Sequence, residues 1–559
     1  MMRRWTREAR LSLARLPGLG RAPDMPAHTL RDLWPGDATR GALMLRGVFR
    51  FDMRDYPLTV QDWEHKDLPV AVRRWLHGFT WLRDLRALGN DEARLQARAI
   101  VASWIDHLPT DPLIADAATT GERLAAWMGH FDFFAASADT LYRQRLMDRL
   151  LIEGRTIAAL LPLPVQGWRG LSALRGLLAA ALSIPSQSGF FSRFLRYLEQ
   201  ELDRLMLPDG CLADRSPEAQ FQAVRELVEM SAMLRAAQIP PPPPLSAGLA
   251  RLCPVLRAMR HGDGGLALFN GASVHNGQTV ETMLNLGARQ KIVASAMPDG
   301  GFYRIANGKS LLIVDGGMPP PPGFDATAQA GTLSFEFSHG RQRVFMNCGS
   351  ARTGAWAKAL RATAAHTSLT LDNRSCIDFS PGGGVARRPG KVTATHVAQD
   401  GAHWLDLSHD GYRAPLGATW RRRLYLGRDG QELRGEETVE GERRVQMALR
   451  FHIHPDIPAQ ISDDQDEVLL TIDGAFWRFR QEGGALALEE SVYLGDGDAV
   501  PALQIVVTAP SPDAATIAEE EKEQEGEAVG ETPASPRKPA AVERPFQHVV
   551  QWVFERAPD

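Results

Sequence analysis

The sequence predicts a multidomain chain, α first and β second: an N-terminal domain of helical hairpins followed by a C-terminal antiparallel β-sandwich. Three observations carry this. From about residue 68 to 260, apolar residues recur at three- and four-residue spacing, as helices with one buried face require. Past about residue 262 they fall instead into short runs bounded by Gly, Asp, Asn and Ser, the texture of strands. A five-proline run at 240–244, which no helix interior accommodates, punctuates the end of the helical part. Helices in one half and strands in the other make two domains rather than one α/β sheet.

Taken in order, residues 1–67 read as a leader and irregular segment. The first 21 residues are basic, and arginines interrupt their apolar stretch, so no ordinary secretory signal is expected there. Residues 68–260 form the helical domain. Val72, Trp75, Leu76 and Phe79 open its pattern, and Leu108-Pro109, Leu163-Pro164 and Pro185 mark short connections. Consecutive helices on short loops pack as antiparallel hairpins, in either a bundle or a closed toroid, and the pattern does not choose between them. Residues 261–559 form the sandwich domain, with strands expected at 311–314, 333–337, 344–346, 368–371, 404–407, 421–426, 445–454, 468–472 and 503–507. Asp299-Gly300-Gly301, Asp429-Gly430 and Asp473-Gly474 supply turns. The acidic, aromatic-free stretch 511–545 is expected to be a disordered, solvated insertion before a last strand at 546–554.

Composition narrows the function classes. With 63 Lys+Arg against 67 Asp+Glu, the 559-residue chain has a net charge of -4, which argues against a nucleic-acid binder. Four dispersed cysteines, none in a CxxC pair, give neither a disulfide scaffold nor a cysteine zinc module. No segment approaches the roughly 20 apolar residues a membrane span needs.

The candidate chemistry lies in a few polar groups. Segment 361–372 places His366 at the mouth of a strand, with Arg361 and Thr363 just before it and Asp372 at its end. Upstream, Tyr303 and Arg304 offer a phenol and a guanidinium, and Glu336 a carboxylate. A His or Tyr beside an Arg suits proton transfer next to an anion. Trp168, flanked by Gly167 and Arg169, is the best groove candidate among the aromatics of the helical half, whereas Trp81 and Trp104 sit in apolar runs and read as core. His452 and His454 share a strand face, but no third ligand follows from the sequence. Zinc or calcium is therefore unsupported, and no cofactor is expected.

At these residues the chain resembles the bacterial heparinase II/III family. The resemblance rests on RxTxAHxxLxxD at 361–372, the LSFEF strand at 333–337 and Asn347-Cys348-Gly349, and it extends to HGFTWLRDL at 77–85 and Leu207-Pro208-Asp209-Gly210. It implies an (α/α) toroid before the sandwich, and lyase chemistry on anionic, uronic-acid polysaccharides. In β-elimination a neutraliser steadies the carboxylate as the C5 proton leaves to a base, and an acid protonates the O4 leaving group. On that reading His366, Tyr303 and Arg361 are the candidate catalytic residues. Arg215, Trp168, Arg169 and Glu336 are candidates for substrate binding.

Several family positions are substituted. Where the resemblance implies Tyr-His after the DG motif, this chain has Ala219-Gln220; where it implies His-Ala-Asp before the SFE strand, it has Gln329-Ala330-Gly331. Tyr303 is the substitute acid or base, and Arg215 or Arg169 the substitute neutraliser. Arg215 has a competing reading as part of a helix-cap network with Asp209 and Asp214. Two other functions compete: a non-catalytic polysaccharide-binding protein derived from a lyase, and a toroid glycoside hydrolase drawing on Asp84, Asp209, Asp214 or Glu218. The family points to the cell envelope or periplasm, and the missing signal to the cytoplasm.

Overall fold

The computed structural model describes residues 11–14, 16, 22–52, 54–58, 63–495, 497–509 and 546–558, so the acidic insertion 511–545 and most of the first 21 residues lie outside the described part. The chain divides into two compact units.

The first unit comprises residues 1–214, 218–257 and 278–294. It is built from helices joined by short loops, among them Asp91–His107, Ala117–Gly129, Thr140–Leu160, Arg169–Ser183, Ser188–Leu205, Pro217–Ala236 and Pro243–Ala258. Their sequences say why they begin where they do. Asn90, Asp116 and Asp139 each accept a hydrogen bond from a backbone amide of the first turn that would otherwise lack a partner. Ala117–Gly129 and Arg169–Ser183 approach closely because Gly121 and Gly176 face each other and neither has a Cβ to hold them apart. Phe79, Trp81, Trp104 and Trp127 form one buried aromatic cluster with rings 5.0 to 5.9 Å apart, so these tryptophans are core and not sugar platform. The HGFTWLRDL segment is part of this framework: Trp104 donates to His77 Nδ1, Arg83 pairs with Asp32, and Asp84 accepts from the Asp37 amide. Helical structure also extends past the boundary expected near 260, since Gly277–Gly287 belongs to this unit. It begins before 68 as well, with Ala38–Leu45 and a small hairpin of β1 (Val48–Phe51) and β2 (Arg54–Pro57).

The second unit holds residues 215–217, 258–277 and 295–559. Its strands are β3 (Phe302–Asn307), β4 (Ser310–Asp315), β5 (Phe335–His339), β6 (Gln342–Phe345), β7 (Leu369–Leu371), β8 (Asp378–Phe379), β9 (Val385–Arg387), β10 (Val392–Gln399), β11 (Ala402–His409) and β12 (Ala418–Leu426). They continue with β13 (Glu432–Gly441), β14 (Met447–Ile453), β15 (Ala459–Ile461), β16 (Glu467–Ile472), β17 (Ala475–Glu482), β18 (Ala485–Tyr493), β19 (Val500–Ala509) and β20 (Phe546–Arg556). One antiparallel sheet runs β18-β19-β14-β6-β5-β4-β3, with β7 paired to β14, and the other runs β10-β11-β12-β13-β20-β17-β16-β15. Alternate residues of β12 (Ala418, Trp420, Arg422, Leu424, Leu426) are buried, the period of two that a half-buried strand requires. Inner faces of both sheets share one apolar core, including Phe335, Phe337, Phe451, Trp477 and Trp552. Within that core Arg422 pairs with Glu437 directly across β12 and β13. Glu437 also accepts from the indoles of Trp420 and Trp552, while Arg422 reaches the carbonyls of Leu333 and Thr367.

Candidate functional site

In the helical unit, a polar niche forms around the turn at 166–169. Gly167 has φ +58°, and a Cβ there would lie 2.9 Å from both carboxylate oxygens of Asp214, so the turn passes against that acid only because residue 167 is glycine. Burial pushes the Asp214 carboxyl up to about 7, opposed by the Trp168 amide that donates to it. Its Oδ2 is buried with no hydrogen-bond partner in the protein, as is Oε1 of Gln166. Arg169 lies 3.4 Å from Glu122 and 3.8 Å from Asp116, with its Nη2 not hydrogen-bonded. Gln166 reaches Asp116 at 3.4 Å. Arg74 belongs to the same group: burial lowers its affinity for the proton, and the nearby Arg169 charge lowers it further. Trp168 is half-buried beside this set, with the Arg169 guanidinium 5.7 Å from its ring centre. Buried polar groups left unpaired beside a half-exposed indole form a surface that gains from a hydroxylated or charged ligand.

The other candidates, apart from Trp168 and Arg169 in the niche, belong to the β unit. His366 is fully buried. Its Nδ1 lies 2.8 Å from the Ala362 carbonyl, its Nε2 has no partner, and burial holds it down at about 4, so it is neutral at physiological pH. A Cβ at Gly331 would lie 2.6 Å from the His366 ring: the imidazole occupies the space a side chain at 331 would need. Arg361 is a staple. It donates to the carbonyls of Ala328 and Gly383, and its guanidinium lies 3.8 Å from the Phe379 ring centre.

Glu336 is fully buried. Its oxygens accept from the amides of Leu268 and Asn347, and Oε2 lies 2.9 Å from His261 Nε2. With every oxygen engaged inside the fold, Glu336 has no free lone pair facing solvent to offer a substrate, contrary to the expectation that it binds one.

Arg215 sits at φ +48° and donates to the carbonyls of Gly300 and Met318 while pairing with buried Asp315. The helix-cap reading with Asp209 and Asp214 therefore fails, because the guanidinium is drawn to a partner one hundred residues away in sequence. Those bonds also occupy the group as a neutraliser. Tyr303 is half-buried, 6.4 Å from the His396 ring, and burial raises its phenol above the usual range. Tyr303 and His366 are thus engaged with different neighbours.

Other motif residues are equally structural. Asn347 ties Leu268 to Thr367, Thr363 holds Ala330, and His452 lies within hydrogen-bond distance of Ser491 and the Ala364 carbonyl. Gln220, at the family's His position, bonds the Leu212 amide and the carbonyls of Gly210 and Leu252. Among the described residues no group of three or more His, Cys, Asp and Glu side chains is arranged to hold a metal, and no helix is long and apolar enough to cross a membrane. Sequence reasoning missed Gln166, Asp116, Glu122 and Arg74. Only Asp116 carries a local signal, as the N-cap of Ala117–Gly129.

Comparison with known proteins bears out the resemblance. Residues 289–529 match the family model described as Heparinase II/III-like, C-terminal. Most of that match falls in the β unit, and the chain as a whole has the fold of the heparinase lyases. A heparinase III crystal structure superposes with a TM-score of 0.70 at 13% identity, covering 99% of this chain and 89% of that one. The heparan sulfate lyase HepC from Pedobacter heparinus superposes with a TM-score of 0.58 at 15% identity over 99% of this chain and 88% of its own. The helical unit is accordingly of the (α/α) toroid class, the alternative that hydrophobic pattern left open. Among curated proteins, the chain is 29% identical over 521 residues to FtsZ-localized protein C of Caulobacter vibrioides, covering 89% of this chain and 88% of the relative.

Proposed function

We propose that this chain is a binding protein derived from a polysaccharide lyase, which keeps the fold and a ligand-binding niche but not the elimination chemistry. One observation carries the reading: the groups that would move protons are built into the structure. His366 is neutral, buried and closed over by Gly331, and the Tyr-His positions are Ala219 and Gln220, of which Gln220 is committed to three backbone groups. What stays available is the niche of Gln166, Trp168, Arg169 and Asp214. There Arg169 meets a carboxylate of an anionic polysaccharide and Trp168 stacks on a sugar ring. With purified full-length protein and a uronic-acid oligosaccharide, Arg169→Ala and Trp168→Ala should each weaken binding at least tenfold. Affinity unchanged in both variants would remove the niche from the account.

The near full-length relative favours a site of action. We place this chain with FtsZ at the division machinery, in line with that relative's name. A fluorescent fusion expressed in the native host should collect where FtsZ collects, and a uniform signal in dividing cells would exclude it. A second reading, uronate lyase activity using Tyr303, is favoured by the lyase fold and by the half-buried phenol.

A further inference from the structure

The solvent-facing side of the β10-to-β15 sheet carries an open groove of about 1030 Å³, wholly within the β unit and built by strand register. One row of directly paired residues crosses six strands: Val397 opposite Trp404, Trp404 opposite Tyr425, Tyr425 opposite Arg434, then Val553 and Arg480. The adjacent row, two residues along each strand on the same face, is polar throughout: Thr395, Asp406, Arg423, Glu436, Gln551 and Glu482. Trp404 is 41% exposed, its ring 5.1 Å from that of Tyr425, and the Arg434 guanidinium lies 5.6 Å from the Tyr425 ring centre. Large aromatics are normally spent in the core. Two paired on a water-facing sheet, extended by a stacked guanidinium, make a flat apolar strip several strands wide.

We infer that this groove is a second saccharide-binding site, separate from the helical niche, for a neutral oligosaccharide lying across the strands. The aromatic row gives the apolar faces of pyranose rings a platform. The polar row offers planar carboxylates, a guanidinium and an amide at the side, the donors and acceptors that ring hydroxyls match. Charge selects among glycans: five carboxylates (Asp406, Glu432, Glu436, Glu482, Glu555) outnumber three guanidiniums (Arg423, Arg434, Arg480) in the lining, so a polyanion is repelled. A protein partner fits less well, because the face is dense in charge where the centres of protein interfaces are depleted of it. Six strands at about 4.8 Å spacing make the groove roughly 24 Å long, room for an extended chain rather than one sugar.

The test is titration of the full-length protein with chitohexaose and cellohexaose, followed by tryptophan fluorescence and calorimetry. At least one of them should bind saturably. Trp404→Ala and Tyr425→Ala should each weaken that binding at least tenfold with an unchanged unfolding midpoint, and Trp168→Ala in the helical niche should leave it unaltered. No saturable binding of either hexasaccharide, or binding insensitive to Trp404 and Tyr425, would overturn the inference, as would binding abolished by Trp168→Ala alone.

Discussion

His77, His130, His366, His409 and His452 are all buried, and burial is the largest cause that moves each below the ordinary imidazole value of 6.5, to about 4 for the first four and about 3 for His452. Unfolding returns them to about 6.5, so between that value and about 4 the unfolded chain holds more protons than the folded one. Stability must then fall as pH falls, by up to about 1.4 kcal/mol per pH unit for each histidine. The thermal midpoint should be highest near neutrality and decline steadily from pH 6.5 towards 4; a flat profile there would mean these rings are not buried neutral. Asp214 works with the opposite sign. Its folded value is raised to about 7 from 3.8, so its contribution is full at low pH and is lost as pH rises through 7. Asp214→Asn keeps an oxygen for the Trp168 amide, removes the buried charge, and should raise the midpoint at pH 8 while changing little at pH 4.

At the scale of the element, the Arg422–Glu437 pair pins the β12–β13 ladder inside the sandwich. Arg422→Leu leaves Glu437 with two indole donors and no counter-charge, which should cost about 3–5 kcal/mol in urea unfolding. Arg421→Ala breaks the exposed pair with Asp406 one position along the same strand and should cost under about 1 kcal/mol. Equal losses would show that the pair is not desolvated. The same strands show how far sequence reading reaches. Strands with several consecutive apolar residues, such as β4 and β14, announce themselves. β13 (ELRGEETVEG) does not, because most of its outward side chains are charged and one inward position is Glu437, whose partner lies on the neighbouring β12. β10, β17 and β18 escape for a related reason: few of their residues are buried, none in β10 and two in each of the others.

Across the whole molecule, the fold was legible because composition switches once, from helical to strand periodicity, and the motifs carried a family whose domain the β unit matches. The site was legible only in part. Trp168 and Arg169 stand beside each other in sequence and in the niche, but residues close in sequence motifs do other work in space. Glu336 reaches back to His261 and Leu268, and Arg215 forward to Asp315, contacts set by topology that no local pattern encodes. Motifs that name a lyase family therefore mark here the fold of the lyases, and we propose that this scaffold binds without eliminating. The direct measurement is ultraviolet absorbance of full-length protein incubated with a panel of uronic-acid polysaccharides, beside Tyr303→Phe and His366→Ala. No unsaturated sugar ends are expected from any of the three proteins. Absorbance that rises with the wild type and is lost in Tyr303→Phe or His366→Ala would contradict the proposal.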